Sequence, residues 1–268
     1  IKTEHEIELM RKAGEILAKT HEELKKIIKP GISTYEIDKC GEDFIRSCGC
    51  EPSFLNYQGY PASVCVSVND EVVHGKFSLV EKMPGDPTDK LKNLMAAFGF
   101  MMGHPGKKLL FMGQDFAQLR EWSEEHELDW YLLEEPEHQA IQSWMRDLLH
   151  MYKKKQALYE LDQSWEGFEW VNADDAYRSI YSFIRHSKDG KHNLLFVINF
   201  TPMAREDYRV GVPRKKQYKL ILNSDDVKYG GNGEKRQNIY HAVKKECDGR
   251  PYSFGYKLPP YGVAVFEF

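Results

Sequence analysis

The sequence predicts a mixed α+β fold class: incomplete α/β segments followed by an all-β sandwich. Three observations carry that expectation. The chain opens on two amphipathic helices with clear start signals. An apolar helix, a His-Pro-Gly break and an apolar run then follow between Leu91 and Met112, which is how one unit of a parallel α/β barrel reads. Beyond about Gly167 the texture becomes short runs of β-forming residues separated by Gly, Asn, Asp and Pro, as a sandwich requires.

The elements follow in order. Thr3 with Glu6 has the spacing of a capping box, in which each side chain satisfies the other's free amide. From there Leu9, Ala13, Ile16, Leu17, Leu24, Ile27 and Ile28 recur at helical period until Pro30-Gly31 stops the helix. Ser33 with Glu36 opens a second capped helix whose apolar face is Ile37, Phe44, Ile45 and Cys48, ending at Gly49. After Pro52 the period becomes alternating, and Val64, Val66 and Val68 predict a half-buried strand, with a turn at Asn69-Asp70 before Glu71–His74. Lys82–Pro87 reads as a loop and Leu91–Met102 as a helix with Met101-Met102 as core filler; Lys108–Met112 reads as a short buried strand. A further helix is expected from Pro136 to Lys155, with Ile141, Trp144, Met145, Leu148, Leu149 and Tyr152 on one side. Strands are expected at Phe168–Val171, Ser179–Arg185, Asn193–Phe200, Gln217–Leu222, Tyr252–Leu258 and Val263–Phe268, with Phe168 and Trp170 in the β core. Gly230-Gly231-Asn232-Gly233 reads as a loop, since a phosphate cradle would need a following Lys and helix.

Composition bounds the function. A net charge of -4 and basic runs confined to Lys153–Lys155 and Arg214–Lys216 give no footprint for nucleic acid, so these are read as solvated faces. No stretch is apolar for long enough to span a membrane and Ile1-Lys2-Thr3-Glu4 is not a leader, so a cytoplasmic location is expected. Five cysteines without C-x-x-C spacing read as free thiols; Cys48 and Cys50 lack further ligands for zinc, and no metal site or cofactor is expected.

Two texts in the chain resemble known families. Glu6-Ile7-Glu8-Leu9-Met10-Arg11, Lys29-Pro30-Gly31-Ile32-Ser33-Thr34 and Asn56-Tyr57-Gln58-Gly59-Tyr60-Pro61-Ala62-Ser63-Val64-Cys65 resemble the N-terminal part of type I methionine aminopeptidases, over residues 1–75. The resemblance implies that His74 is the histidine beside the substrate's scissile bond. It also implies that the family's two divalent metals have no ligands here, because those ligands lie downstream of the position matching His74, where this chain reads Lys76–Gly85 instead.

From about Asp70 the text changes. Asp70-Glu71-Val72-Val73-His74-Gly75-Lys76, Gly103-His104-Pro105-Gly106-Lys107-Lys108-Leu109-Leu110-Phe111-Met112-Gly113, Arg120-Glu121-Trp122, Leu128-Asp129-Trp130, Gly167-Phe168-Glu169-Trp170 and Gly249-Arg250-Pro251-Tyr252-Ser253 resemble the 1,4-alpha-glucan (glycogen) branching enzymes of the alpha-amylase superfamily, through Phe268. Residues 70–75 fit both families, so the chain reads as a chimera. The expected domains are 1–75 as the aminopeptidase-like piece, 76–160 as the terminal part of an amylase-type barrel and 161–268 as the C-terminal all-β domain. The resemblance implies α-1,4 to α-1,6 glucan transfer in glycogen biosynthesis, a retaining reaction that needs a nucleophilic and an acid/base carboxylate. Both precede the text matching Asp70, so the chain is expected to be catalytically incomplete. Asp70 itself matches the carboxylate that stabilises the transition state, although Asn69 replaces the usual histidine and the pair also reads as a hairpin turn.

Asp115, Trp122 and Trp130 are the candidate substrate-binding residues. Asp115 falls in Gln114–Gln118, which resembles a loop bordering the glucan site, with Asp115 in place of a glutamate and Ala117 in place of a glycine. The two indoles either stack on sugar rings or pack the barrel flank. Three functions stand open: a branching-enzyme-like protein lacking its acids, a methionine aminopeptidase lacking its metals, or a non-catalytic glucan-binding module. An α-glucan is the expected partner.

Overall fold

The computed structural model describes residues 3–66, 78–175 and 177–268. The chain divides into two compact units, Ile1–Gly75 and Lys76–Phe268.

In the first unit α1 (Glu4–Ile27) and α2 (Thr34–Ser47) pack together, and both capping boxes form, Thr3 with Glu6 and Ser33 with Glu36. The α1 stripe exists but stays largely uncovered: Leu9, Leu17 and Ile28 are exposed and only Leu24 of the stripe is buried. The strand expected at Val64–Val68 is absent over Val64–Val66, its described part. The amides of Ser63 and Val64 both donate to the Asp38 carboxylate at 2.7 Å, so the backbone is held by a side chain instead of a neighbouring strand. Asn69-Asp70 and Glu71–His74 lie outside the described residues.

The second unit has three layers. Six strands form an antiparallel sheet in the order β1 (Phe168–Asn172), β2 (Ile180–Arg185), β3 (Leu194–Asn199), β8 (Val263–Glu267), β5 (Gln217–Asn223) and β6 (Ile239–His241). A separate antiparallel pair, β4 (Arg205–Val212) and β7 (Tyr252–Leu258), covers one face. Helices α3 (Pro87–Gly103) and α4 (Pro136–Lys154) cover the other. Burial on both faces explains why β3 reads Leu-Leu-Phe-Val-Ile-Asn with no alternation and is buried at every position. Phe196 and Ile198 point toward the helices, Leu195 and Val197 toward the two-stranded pair.

Helix α3 begins on Asp86, whose side chain accepts from the Asp89 amide, with Pro87 in the first turn where a missing N–H costs nothing. It lies flush on the sheet because Gly99 and Gly103 face it: a Cβ at Gly103 would sit 2.7 Å from the Phe196 ring, and one at Gly99 2.8 Å from Val263. Met102 is fully buried there, with Met101 packed at its edge. In α4, Trp144 is fully buried and its indole N–H donates to the Met95 carbonyl at 3.0 Å, pinning the two helices; Leu149, expected on the buried side, is exposed.

Two further expectations are corrected. Lys108–Met112 forms no strand and pairs with none, and Leu109, Phe111 and Met112 are exposed. An apolar run becomes a buried strand only when neighbours take up its backbone groups, and no described segment does so. Trp170 is also partly exposed at the edge strand β1, where it packs edge-on against Phe168. Strands β4 and β6 complete the sandwich beyond the runs that sequence periodicity picked out.

Candidate functional site

Between α3 and α4 the chain makes a loop with little regular structure but many internal bonds. Gly113 and Ala117 both take left-handed backbone angles, φ 76° and 59°, and enclose a 3-10 turn at Gln114–Phe116. Gln114 Oε1 accepts from the Phe111 amide at 3.1 Å, and the Gln118 amide closes the turn on the Gly113 carbonyl at 2.9 Å. Gln118 is buried and bridges both ways: its Oε1 accepts from the Asp129 amide at 2.9 Å and its Nε2 donates to the Arg120 carbonyl at 3.0 Å. Arg120 donates to Asp129 Oδ1 at 2.7 Å, which closes the frame. Below it, His138 of α4 donates through Nδ1 to the Phe116 carbonyl at 2.7 Å. A buried polar network with its partners in place fixes one geometry.

Aromatic side chains stand on this frame. Trp130 stacks on buried Phe116 with ring centroids 5.3 Å apart and remains 51% exposed. Trp122 meets Phe111 edge-on at 5.5 Å and is half-buried. Tyr131 is exposed beside them in sequence. Each tryptophan is therefore braced by a neighbour while keeping open surface, and a flat indole face matches the C–H face of a sugar ring. Of the site residues expected from sequence, Asp115, Trp122 and Trp130 fall on this one loop, with Asp115 half-buried in the 3-10 turn. Asp70 and His74 lie outside the described residues.

Sequence reasoning missed a second cluster at the foot of the same loop. Arg185, in the otherwise apolar β2, is fully buried and donates to the carbonyls of Gly167, Gly103 and Leu158 and to Asp162 Oδ1 at 2.8 Å. The signal was present as one charge at the end of the run Ile180–Ile184, but its partners come from three other segments. Lys108 lies beside it, donating to the His104 carbonyl and sitting 5.3 Å above the Tyr152 ring. Burial, with Arg185 adding to it against the pull of Asp162, pushes the Lys108 amine down to about 8.

In the first unit an apolar groove of about 430 Å³ is lined by residues such as Leu17, Leu24, Ile45, Phe54 and Val64, with His21, Glu51, Cys50 and Cys65 as its titratable groups. All five cysteines are free thiols. Among the described residues no three His, Cys, Asp or Glu side chains converge to hold a metal ion. No helix among them is long and apolar enough to cross a membrane.

Comparison with known proteins gives two families. Residues 8–91 match the metallopeptidase family M24, and residues 170–268 match the alpha amylase C-terminal all-beta domain. The 1,4-alpha-glucan branching enzyme of Butyrivibrio fibrisolvens is 48% identical over 84% of this chain and 37% of its own length. That of Aquifex aeolicus is 50% identical over 74% of this chain and 32% of its own. Among solved structures, an alpha-amylase from H. orenii aligns with 72% of this chain and 38% of its own, at 15% identity and a TM-score of 0.46. The chain thus spans about a third of the length of the curated relatives it matches, and it is a chimera of stretches similar to two families.

Proposed function

We propose that this chain is a branching-enzyme-like, non-catalytic glucan-binding module, acting in the cytoplasm, whose contact face is the loop carrying Trp122 and Trp130. The observation that carries the reading is the pair of braced, partly open indoles on a hydrogen-bonded frame, in a stretch similar to enzymes named for acting on 1,4-alpha-glucan. In this reading residues 76–160 correspond to the end of a barrel and 161–268 to the β domain behind it, while Asp115 borders the sugar. Retaining glycosyl transfer needs two opposed acids about 5 Å apart, and the counterparts of those acids precede the text that this chain shares with the branching enzymes. Trp130 holds a ring by its open face, and Phe116 beneath it keeps the indole from turning.

Affinity electrophoresis through a gel containing glycogen tests the proposal. The chain is expected to be retarded, and Trp130→Ala to reduce the retardation about tenfold, in line with about 1.5 kcal/mol for a lost aromatic contact. Equal mobility with and without glycogen overturns it. The M24 match supports a second reading, a peptidase acting on an initiator methionine. Incubation of a Met-Gly-Met peptide with the chain and added manganese is expected to release no methionine, and release would favour that reading.

A further inference from the structure

Two ends of the second unit carry exposed charge of opposite sign. Residues 121–137, the last part of the loop and the first turn of α4, contain no Lys or Arg. Glu124, Glu125, Glu127, Glu134 and Glu137 are exposed there, and none has an ion-pair partner among the described residues. The stretch is tied to the start of the helix, where Gln139 donates to the Leu133 carbonyl at 2.7 Å. Arg120, the nearest cation in the sequence, is taken by Asp129 at 2.7 Å.

Residues 213–219 and 239–245 have the reverse make-up and contain no Asp or Glu. Arg214, Lys215, Lys216, Lys219, Lys244 and Lys245 are exposed and have no ion pair among the described residues. The fold gathers them at one end. The Lys216 carbonyl accepts from the Ala242 amide at 3.1 Å, Gln217 of β5 pairs with His241 of β6, and the Lys245 carbonyl accepts from Ser253 Oγ of β7 at 2.6 Å. Glu267, opposite Lys219 on β8, is taken by Lys155 at 2.7 Å. Lys155 directly follows α4, so the basic end lies at the C-terminus of the helix whose N-terminus holds the acidic end. The 19 residues of α4 put about 28 Å between them at a rise of about 1.5 Å per residue. Exposed charges act over roughly 8 Å at physiological salt, so the two ends do not neutralise each other within one chain.

We propose that these two ends are a self-association interface, in which the basic end of one copy takes the acidic end of a second copy. Charge complementarity selects that occupant, because the chain itself presents the surface of matching sign and of similar extent. The two patches are different surfaces at opposite ends of α4. The contact is therefore head-to-tail, and copies add in a row instead of closing as a symmetric pair. Exposed ion pairs are individually weak, so the strength of the joint follows the number of charges that face one another and falls as salt screens them.

Sedimentation velocity of the full chain tests this. At about 0.01 M salt, where charges reach about 30 Å, the weight-average mass is expected to climb with protein concentration to about twice the monomer's or beyond. At about 1 M salt, where they reach about 3 Å, the monomer alone is expected. Two charge-reversed variants separate this contact from general stickiness. Lys215→Glu with Lys216→Glu, Lys244→Glu and Lys245→Glu leaves acid at both ends; Glu124→Lys with Glu125→Lys, Glu127→Lys and Glu134→Lys leaves base at both. All of these side chains are exposed, so the core is untouched. Each variant alone should stay monomeric at low salt, and an equal mixture of the two should associate again. A parent that is monomeric at low salt, association that persists at high salt, or a mixture that stays monomeric overturns the proposal.

Discussion

Arg185 is buried with a single carboxylate partner, so the consequence of removing that partner is large. Asp162→Ala leaves a guanidinium in the core with three carbonyls and no counter-charge. Urea denaturation is expected to register a loss of about 3 kcal/mol. Lys108 gives a pH signature of known sign. Its folded value, about 8, lies below the 10.5 of a free lysine, so between those values the unfolded chain binds more protons and stability rises with pH. Below pH 8 the folded state carries the buried charge at a cost. Lys108→Met is therefore expected to raise Tm relative to the parent most at pH 7, with the gain shrinking toward pH 10; a difference independent of pH would contradict this. Ala117, fully buried at φ 59°, sits in the left-handed region that costs a residue with a Cβ about 1 kcal/mol. Ala117→Gly should recover about that much in the same denaturation assay. Asp115 was legible as a candidate because Gln114–Gln118 resembles a loop bordering a glucan site, and Trp122 and Trp130 because an indole face can stack on a sugar ring. The Lys108–Asp162–Arg185 cluster was not, because Arg185 is gathered to the others across 23 positions to Asp162 and 82 to Gly103.

Elements whose determinants are local were readable. Capping residues three apart announced α1 and α2, and the Gly-Pro punctuation ended them where the chain leaves the helix. Strands depend on partners that sequence periodicity does not supply: Val64–Val66 and Lys108–Met112 have strand-like composition and no ladder, while β4 and β6 form because β7 and β5 are there to pair with. Hydrogen exchange should follow this division, with β2, β3, β8 and α3 protected and residues 108–112 exchanging quickly; protection of 108–112 equal to that of β3 would mean the run has found a strand partner. Helix α3 carries its own test. Gly103→Ala places a methyl group against Phe196 and Phe183 and should cost about 2 kcal/mol by forcing the helix off the sheet.

At the scale of the molecule the similarity to two families was visible in runs of text before any fold was considered, since residues 8–91 and 170–268 match families with unrelated chemistry. What text alone left open was how the second part holds together. The answer is the three-layer core, in which α3 and α4 stand on a sheet whose far side is closed by β4 and β7. In the proposed reading that core carries the loop bearing Trp122 and Trp130. The most direct measurement is proton NMR of a linear maltooligosaccharide with the chain added. The sugar resonances are expected to broaden, Trp130→Ala to abolish most of the broadening, and no α-1,6 anomeric signal to grow in. A growing α-1,6 signal, or sugar lines as sharp with the chain as without it, would contradict a glucan-holding module without a transfer centre.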